Sequence, residues 1–323
     1  MTKAIVVKAP GGPEAMSYED VEVGKPGKGQ VLLRHKAIGV NFIDVYHRSG
    51  LYPLPTPFTP GSEGAGDVVA VGEGVTNVAV GDRVAYGTSR GSYCAERLIE
   101  AAQLVKLPPS ISYETGAAMM LKGLTAQYLL RQTFPVKAGD TILVHAAAGG
   151  VGLILCQWAR ALGCTVIGTV GSNDKAKLAS EAGAHHVILY REENFAARVK
   201  EITGGKLCDV VYDGVGKDTF PASLDCIRPL GMFVSFGNAS GPVEAFNLGL
   251  LSQKGSLFAT RPTLFTYAST PERLRAMADD LMQAIASGAV KIDVHARYKL
   301  ADVAQCHRDL ESRKTTGASV LVP

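Results

Sequence analysis

Hydrophobic residues over roughly the first 120 positions follow the short, turn-bounded pattern of β-strands. Val-rich runs such as KAIVVKA, QVLLRHKAIGV, GAGDVVAVGEGV and GDRVAYG are punctuated by Gly, Pro or polar residues, which is typical of strands joined by tight turns. The segment SGLYPLPTPFTPG at 49–61 contains four prolines. Because proline interrupts helices, we expect an ordered loop there. This part of the chain predicts an all-β or α+β body.

The pattern changes after residue 125, where buried strands alternate with amphipathic helices. Strands are predicted at DTILVHA, TVIGTV, HHVILY, CDVVYD, GMFVSFG and GSLFAT, with helices at TAQYLLRQTF, GVGLILCQWARALG, SNDKAKLASEAGA, NFAARVKEITGG and TFPASLDCI. This alternation predicts a doubly wound, six-stranded parallel sheet over 125–261. A further helix and the strands ARYKL and ASVLV follow. We expect this tail to return to the first body, so the predicted domains are 1–124 with 262–323, and 125–261.

The composition is that of an ordinary globular protein, with 323 residues, 46% hydrophobic, 20% charged and a net charge of +3. This length predicts two domains, and the lack of a basic run disfavours a nucleic-acid partner. No stretch approaches the ~18 uncharged apolar residues of a membrane span, and the N-terminus lacks a secretory pattern. The six cysteines are scattered without a C-x-x-C pair, so we expect reduced thiols in a cytoplasmic protein.

The segment LVHAAAGGVG at 143–152 follows the register of the dinucleotide fingerprint G-x-G-x-x-G, with Ala147 at the first glycine position. A strand precedes it and an amphipathic helix follows, which is the context the motif requires. Gly149 lets backbone N–H groups approach a pyrophosphate, and Gly152 lets the helix pack closely on the strand. Alanine fits the first position if its φ stays negative. The alternative is a small-residue turn without a ligand.

The end of the second predicted strand, TVGSNDK, indicates which dinucleotide is bound. Enzymes selective for NAD usually have an acid here to bind the ribose 2′-hydroxyl, but this chain has Gly171 and Ser172, with Lys175 in the next helix. These residues suit the 2′-phosphate of NADPH. Asp174 is an acid nearby that can serve the helix N-terminus. In the alternative interpretation, Lys175 is only a solvated surface charge.

Six segments resemble one protein family in their order and spacing, and the resemblance covers essentially the whole chain. They are AIGVNFIDVYHRSGLYP, PGSEGAGDVVAVGEGV, GDRVAYG, LKGLTA, HAAAGGVG and VSFGNASG. This is the zinc-free quinone oxidoreductase (zeta-crystallin-like) branch of the medium-chain dehydrogenase/reductase superfamily. The resemblance implies a GroES-like catalytic domain and a Rossmann NADPH-binding domain. It also implies reduction of quinones or electron-poor alkenes, commonly by a homodimer.

Departures from the zinc alcohol dehydrogenases point to the same branch. Asn41 and Ser62 stand where those relatives have a zinc-binding Cys and His, and the four-cysteine structural lobe is missing. Tetrahedral zinc needs three or four such ligands, so we expect direct, metal-free hydride transfer.

We predict that Asn41, Tyr46 and Tyr52 form the catalytic, substrate-side polar set, because the resemblance places their stretch at the active site. Either phenol could hydrogen-bond a quinone oxygen while water supplies protons. Alternatively, the tyrosines are packed rings and Asn41 caps a turn. The predicted cofactor-binding set comprises Lys122, Thr125, Ala148, Gly149, Gly150, Val151, Gly171, Ser172, Lys175, Tyr190, Phe236, Gly237, Asn238, Phe258, Thr260 and Arg313.

Within that set, the resemblance assigns Thr125 to the nicotinamide, Lys122 to a phosphate or the substrate edge, and Arg313 to the cofactor phosphates. In the alternative interpretation Lys122 is a surface charge. Two other functions stay open: a reductase of the same superfamily acting on 2-alkenals or enoyl thioesters, and a non-enzymatic NADPH-binding role, structural or RNA-binding. The near-neutral charge argues against RNA as the main partner.

Overall fold

The computed structural model describes all residues of the chain, Met1–Pro323. Its contacts form two units, one of Met1–Leu124, Ala268–Asp279 and Ile292–Pro323, the other of Thr125–Tyr267 and Asp280–Lys291. The contacts therefore assign residues 262–267 and Asp280–Lys291 to the second unit, whereas the sequence assigned all of 262–323 to the first domain. The boundary at Asp280 arises because one helix, described below, runs through both sets of residues. The domain boundaries stay a prediction.

The N-terminal part of the first unit is built from strands, as its hydrophobic pattern predicts. They are β1 (Thr2–Val7), β2 (Met16–Val21), β3 (Gln30–Val40), β4 (Glu63–Val71), β5 (Arg83–Tyr86), β6 (Glu96–Glu100) and β7 (Val105–Lys106), with one helix, α1 (Phe42–Ser49), after β3. β1 and β2 pair antiparallel as a separate sheet. After α1, the proline-rich segment contains no helix and no strand beyond an isolated bridge between Val7 and Phe58.

The second unit contains the predicted parallel sheet. Its elements follow α2 (Tyr113–Tyr128) and are β8 (Thr141–Val144), α3 (Gly150–Ala161), β9 (Thr165–Val170), α4 (Asn173–Glu181), β10 (His186–Leu189), α5 (Phe195–Ile202), β11 (Cys208–Asp213), β12 (Ile227–Ser235), α6 (Gly249–Gln253) and β13 (Phe258–Thr260). The strand order is β10-β9-β8-β11-β12-β13, and every pair is parallel. This is the order of the doubly wound dinucleotide-binding sheet, so the prediction is confirmed.

Two helix predictions in this region need correction. The helix predicted at TAQYLLRQTF begins earlier, at Tyr113, and ends in a π-helical turn, Leu129–Thr133. The helix predicted at TFPASLDCI is wrong, because only a 3-10 turn, Ala222–Cys226, forms there. Pro221 lacks the N–H that a helix through the segment requires, and β12 already begins at Ile227.

The core of the second unit lies against the sheet. Leu143, Ile167, Ile188, Val211 and Phe233, which come from five adjacent strands, are at most 3% exposed and belong to one hydrophobic cluster. Such apolar runs are expected for parallel strands covered by helices. None of the helices combines the length and apolar character that a membrane span requires.

The C-terminal elements divide between the two units. They are α7 (Leu264–Tyr267), α8 (Pro271–Ala286), β14 (Val294–Lys299), α9 (Val303–Glu311) and β15 (Ala318–Val322). α7 belongs to the second unit, α8 is the helix that runs through both, and the last three elements belong to the first unit. β15 pairs antiparallel with β3 and parallel with β14 in a seven-stranded sheet of order β14-β15-β3-β4-β5-β7, with β6 also paired to β3. β14 and β15 thus join the sheet of the first body.

Candidate substrate and nucleotide sites

Helix α1 begins at Asn41, the first residue of the predicted substrate-side set. Asn41 occupies the N-cap position with extended backbone angles, φ −139° and ψ 153°. Its N–H donates to Asp44 Oδ2 at 2.9 Å, which is half of the reciprocal contact of a capping box. The helix ends at Gly50, whose φ of 83° lies in the left-handed region that glycine accommodates. This short helix therefore has a defined start, and Asn41 is 6% exposed there.

A buried carboxylate, Glu63 at the start of β4, receives three hydrogen bonds. Asn41 Nδ2 donates to Oε2 at 2.9 Å, Lys122 Nζ donates to the same oxygen at 3.0 Å, and the Leu121 N–H donates to Oε1 at 2.8 Å. Glu63 is fully buried and Lys122 is 5% exposed. Gly39 on β3 provides the space, since a Cβ there would lie 2.5 Å from Glu63 Oε2. Glu63 and Lys122 thus form a desolvated ion pair that also holds the Asn41 amide.

A second buried carboxylate, Asp44, lies on α1. Ser62 Oγ donates to Oδ1 and Tyr93 Oη donates to Oδ2, each at 3.0 Å. Burial raises the pKa of Asp44 to about 7, against the opposing effect of its hydrogen bonds and the charge of Lys122. Ser62, which replaces the zinc-binding His of the metal-dependent relatives, is therefore a hydrogen-bond donor in this chain.

The polar network continues from Asp44 to α9. Tyr93 Oη lies 3.0 Å from His307 Nε2, and Arg48 Nη1 lies 3.3 Å from His307 Nδ1. Because Arg48 can only donate and Tyr93 donates to Asp44, we assign the His307 proton to Nε2. Burial lowers the pKa of His307 to about 3, which keeps the ring neutral. Arg48 also donates to both oxygens of Glu311, at 2.9 and 2.7 Å, and so ties α1 to α9.

The two predicted substrate-side tyrosines lie against each other. The rings of Tyr46 and Tyr52 meet edge to face with centroids 5.1 Å apart, and the Tyr52 N–H donates to the Tyr46 carbonyl at 3.0 Å. Tyr46 is 8% exposed and Tyr52 is partly exposed. The structure thus brings the phenols together, while the Asn41 amide is bound to Glu63. Their catalytic roles stay predictions.

In the second unit, the turn after β8 explains the alanine in the nucleotide fingerprint. The left-handed position of this turn is Ala146, with φ 53°, and Ala147 is not among the residues with positive φ. Ala147 is fully buried, and its Cβ lies 2.7 Å from where a Cβ on Gly168 of β9 would stand. The small residues are therefore complementary: the neighbouring strand has no side chain where Ala147 has one.

The same turn presents backbone donors at the start of α3. The first helical hydrogen bond comes from the Leu153 N–H to the Gly149 carbonyl at 2.9 Å, so the N–H groups of Gly150 and Val151 have no intrahelical partner. A Cβ at Gly152 would lie 2.3 Å from the Ala146 carbonyl oxygen, so only glycine fits. Ala148 is buried at 3% exposed beside these donors. The arrangement suits a pyrophosphate.

The ends of β9 and β10 form a second corner, where four predicted cofactor residues lie. Ser172 is the N-cap of α4, and Lys175 is in the first turn of that helix. A Cβ at Gly171 would lie 2.9 Å from Tyr190 Oη and 3.3 Å from Arg191 Nε, so the missing side chain lets both groups lie close to this backbone. Sequence reasoning missed Arg191, although a cation directly after the third predicted strand was a usable signal.

The loops after β11 and β12 pack on each other. A Cβ at Gly237 would lie 2.5 Å from the Gly214 carbonyl oxygen, and the ring of Phe236 lies against Gly214. Asn238 follows in the same loop, and the Ala239 N–H donates to the Gly214 carbonyl at 3.2 Å. These residues lie at the carboxyl ends of parallel strands, where doubly wound sheets bind ligands.

Asp213, at the end of β11, organises this edge and was missed from the sequence. It accepts hydrogen bonds from the Val215 and Gly216 N–H groups at 2.8 and 3.0 Å, and from the hydroxyls of Thr219 and Ser223 at 2.6 and 3.1 Å. His145 joins the same network through Ser223 Oγ at 3.0 Å. Burial lowers the pKa of His145, so this histidine is a neutral, structural group beside the nucleotide turn.

The remaining predicted residues are more scattered. Thr125 is buried in α2, at 7% exposed, while Thr260 ends β13. Phe258, which begins that strand, is 58% exposed. Arg313 follows α9 with a left-handed φ of 57°. Their contacts with a cofactor stay predictions.

Two family models match parts of this chain. The family model described as alcohol dehydrogenase GroES-like domain matches residues 27–138, and the one described as zinc-binding dehydrogenase matches residues 150–282. Despite the second description, no group of three or more His, Cys, Asp and Glu side chains is arranged to hold a metal ion.

Individual relatives are similar over the full length. A quinone oxidoreductase of Pseudomonas aeruginosa is 56% identical over 100% of both chains. A 2-haloacrylate reductase of a Burkholderia species is 46% identical over 100% of this chain and 99% of its own. The crystal structure of Escherichia coli quinone oxidoreductase complexed with NADPH superimposes with a TM-score of 0.97 at 50% identity, covering 99% of this chain and 100% of that one.

The chain therefore belongs to the medium-chain dehydrogenase/reductase superfamily and, within it, to the quinone oxidoreductase branch. The resemblance inferred from the sequence is confirmed, as are the expected GroES-like and Rossmann-type folds.

Proposed function

We propose that this protein is an NADPH-dependent quinone oxidoreductase that works without a metal ion. The observation that carries the proposal is the corner after β9, where Gly171 replaces the acid of NAD-selective enzymes and Tyr190 and Arg191 lie next to the Gly171 backbone. Lys175 adds a cation in the first turn of α4. An acid here would repel the 2′-phosphate, whereas cations and a phenol can bind it. The full-length similarity to quinone oxidoreductases supports the choice of substrate.

The chain's own residues supply binding and alignment. NADPH provides the hydride when bound. The unpaired N–H groups at the start of α3 suit its pyrophosphate, and Phe236 with Gly237 suit the nicotinamide ribose. Asn41 and the tyrosine pair then align the quinone in the first unit. Little acid–base chemistry is required, because positioning and stabilisation of the developing oxyanion supply most of the rate.

The purified protein should bind NADPH more tightly than NADH and oxidise it when benzoquinone or phenanthrenequinone is added. EDTA should not change the rate. Activity that EDTA abolishes and zinc restores would refute the metal-free mechanism, and the absence of NADPH oxidation with every quinone tested would refute the activity itself.

A second candidate function is reduction of an electron-poor alkene, and the similarity to a 2-haloacrylate reductase favours it. Both substrate classes accept a hydride and develop negative charge on an oxygen, so one site can serve either. Values of kcat/KM across quinones, 2-alkenals, 2-haloacrylate and crotonyl thioesters separate the two. We expect the highest values for quinones, and a higher value for an alkene would replace the primary proposal.

We also propose a homodimer formed through the edge strand β13. This strand pairs with β12 alone, and Phe258 is 58% exposed, with Leu248 at 72% and Leu230 at 63% elsewhere on the same unit. An open edge with apolar side chains is a surface for pairing with another chain. Light scattering should give a dimer for the wild type and a monomer for Phe258→Glu. A monomeric wild type would refute the proposal.

For location we propose the cytoplasm, because all six cysteines are unpaired and buried, as is typical of reducing compartments. Fractionation of the native host's cells should recover the protein with cytoplasmic markers. Recovery with an extracytoplasmic fraction would contradict this.

A further inference from the structure

The ammonium group of Lys122 is buried with fewer partners than it can bind. Lys122 is 5% exposed, and Glu63 Oε2 at 3.0 Å is the acceptor that the structure gives it. A lysine ammonium has three N–H donors, and a desolvated charge needs acceptors for them. The spare donors of Lys122 therefore point to a ligand that presents an acceptor oxygen.

The side chain of Asn41 is held beside this ammonium. Its Nδ2 donates to the same carboxylate oxygen, Glu63 Oε2, at 2.9 Å. Because the carboxylate can only accept, the Asn41 amide must turn its nitrogen toward Glu63, and its second N–H remains available. Two donors of different residues are thus fixed around one oxygen atom within the first unit.

We propose that Lys122 and Asn41 form an oxyanion-binding pair and that Glu63 is the residue that positions both donors. This inference rests on the proposed function and names the group that receives the charge. The quinone accepts a hydride with its electron pair and becomes the hydroquinone monoanion, while NADPH is oxidised to NADP⁺. The phenolate oxygen lies against Lys122 and Asn41 until a proton from water converts it to hydroquinone.

The charge balance favours the reduced product over the neutral quinone. Glu63 neutralises Lys122 in the resting protein, so a neutral substrate enters a neutral site without leaving a buried charge unpaired. Glu63 already holds the ammonium and the amide in place when negative charge develops, and preorganised donors in a desolvated site act most strongly at that stage. Asp44 and Cys306 are other titratable groups that interact electrostatically with Lys122.

The probe is 4-nitrophenol, whose coloured phenolate can be followed by absorbance. In the NADP⁺-loaded wild-type protein, we expect the phenolate to bind about tenfold or more tightly than the neutral phenol, since an adjacent cation favours the charged form. The double variant Glu63→Gln/Lys122→Met removes both charges together, so that no single buried charge is left unpaired. It should lose the phenolate preference, and its kcat/KM for benzoquinone should fall about 10²-fold.

The matched control is Glu19→Gln/Lys8→Met, which makes the same substitutions at an exposed ion pair of 2.7 Å in the same unit. It should keep both the phenolate preference and the activity. Glu63→Asp keeps the charge but withdraws the carboxylate by one methylene, and its phenolate preference should lie between those of the wild type and the double variant. A wild-type preference in Glu63→Asp would show that Glu63 does not position the donors.

The outcomes separate this inference from the proposed function. If the double variant keeps both the phenolate preference and the quinone reductase activity, the pair is only structural and the inference is wrong. If the wild type reduces no quinone but its phenolate preference depends on Lys122, the oxyanion pair stands and the proposed substrate class is wrong.

Discussion

Ala147 and Gly168 should behave as a coupled pair, because one small space holds a single methyl group. A Cβ on Gly168 would lie 2.7 Å from Ala147 Cβ, about 1 Å closer than carbon atoms normally pack. Overpacking of this kind costs about 1–3 kcal/mol, so Gly168→Ala should destabilise the protein by that amount. The turn that carries the pyrophosphate donors should shift as well, and NADPH affinity should fall.

Ala147→Gly should also destabilise the protein, for a different reason. It removes a fully buried methyl group, which costs about 1 kcal/mol of burial, and increases the backbone entropy lost on folding by about 0.5–1 kcal/mol. The double variant Ala147→Gly/Gly168→Ala moves the methyl from one residue to the other and relieves the overlap. It should therefore be more stable than the sum of the single variants predicts, by about 1–3 kcal/mol.

Urea denaturation of the four proteins, with NADPH titrations alongside, measures this coupling. The matched control is Gly168→Ala/Ala184→Gly, because Ala184 Cβ would lie at an ordinary contact distance of 3.5 Å and its removal relieves no overlap. Strict additivity of Gly168→Ala and Ala147→Gly, or equal rescue by Ala184→Gly, would refute the account of the alanine-first turn.

Three further predictions concern binding and pH. Lys175→Ala should weaken NADPH binding about tenfold and leave NADH binding unchanged, because it removes one charge-assisted phosphate contact. Lys177→Ala, on the same helix, is the control. Equal losses of affinity for both cofactors in Lys175→Ala would count against a 2′-phosphate site at this corner. Arg191→Ala should act in the same direction, and fluorescence titration checks both variants. Burial raises the pKa of Asp44 from 3.8 to about 7, so its contribution to stability is complete below pH ~4 and is lost as pH rises through ~7, by up to about 4 kcal/mol. As the pH rises from ~5 to ~8, the free energy of unfolding of the wild type, measured by urea denaturation, should fall relative to that of Asp44→Asn. A constant difference between the two proteins would show that the pKa of Asp44 is not raised.

The parallel sheet could be predicted from the sequence because its signals are local. Strands such as CDVVYD are continuous apolar runs followed by turn residues, and β11 has the predicted bounds. The alternation of strands and helices then limits the topology to few possibilities. The preference for NADPH could be predicted at the end of β9 in the same way. Gly171, where NAD-selective enzymes have an acid, and Lys175 lie within five residues of each other.

The buried polar network of the first unit could not be predicted in this way. Glu63 lies 59 residues from Lys122 in the sequence, and His307 lies 214 residues from Tyr93, so each pair meets only in the folded chain. An acid at the start of an apolar strand gives no local sign of its partners, and Lys122 was assigned to the cofactor or the substrate edge without its counter-charge. The role of Gly39 could not be predicted either, because its missing side chain matters only when Glu63 lies against it.

The most direct test of the central claim is a stoichiometric assay of NADPH and benzoquinone with the purified wild-type protein in EDTA. We expect NADPH oxidation and hydroquinone formation in equal amounts, with a higher kcat/KM for NADPH than for NADH. NADPH consumption without hydroquinone, or an equal or higher kcat/KM for NADH, would contradict that claim.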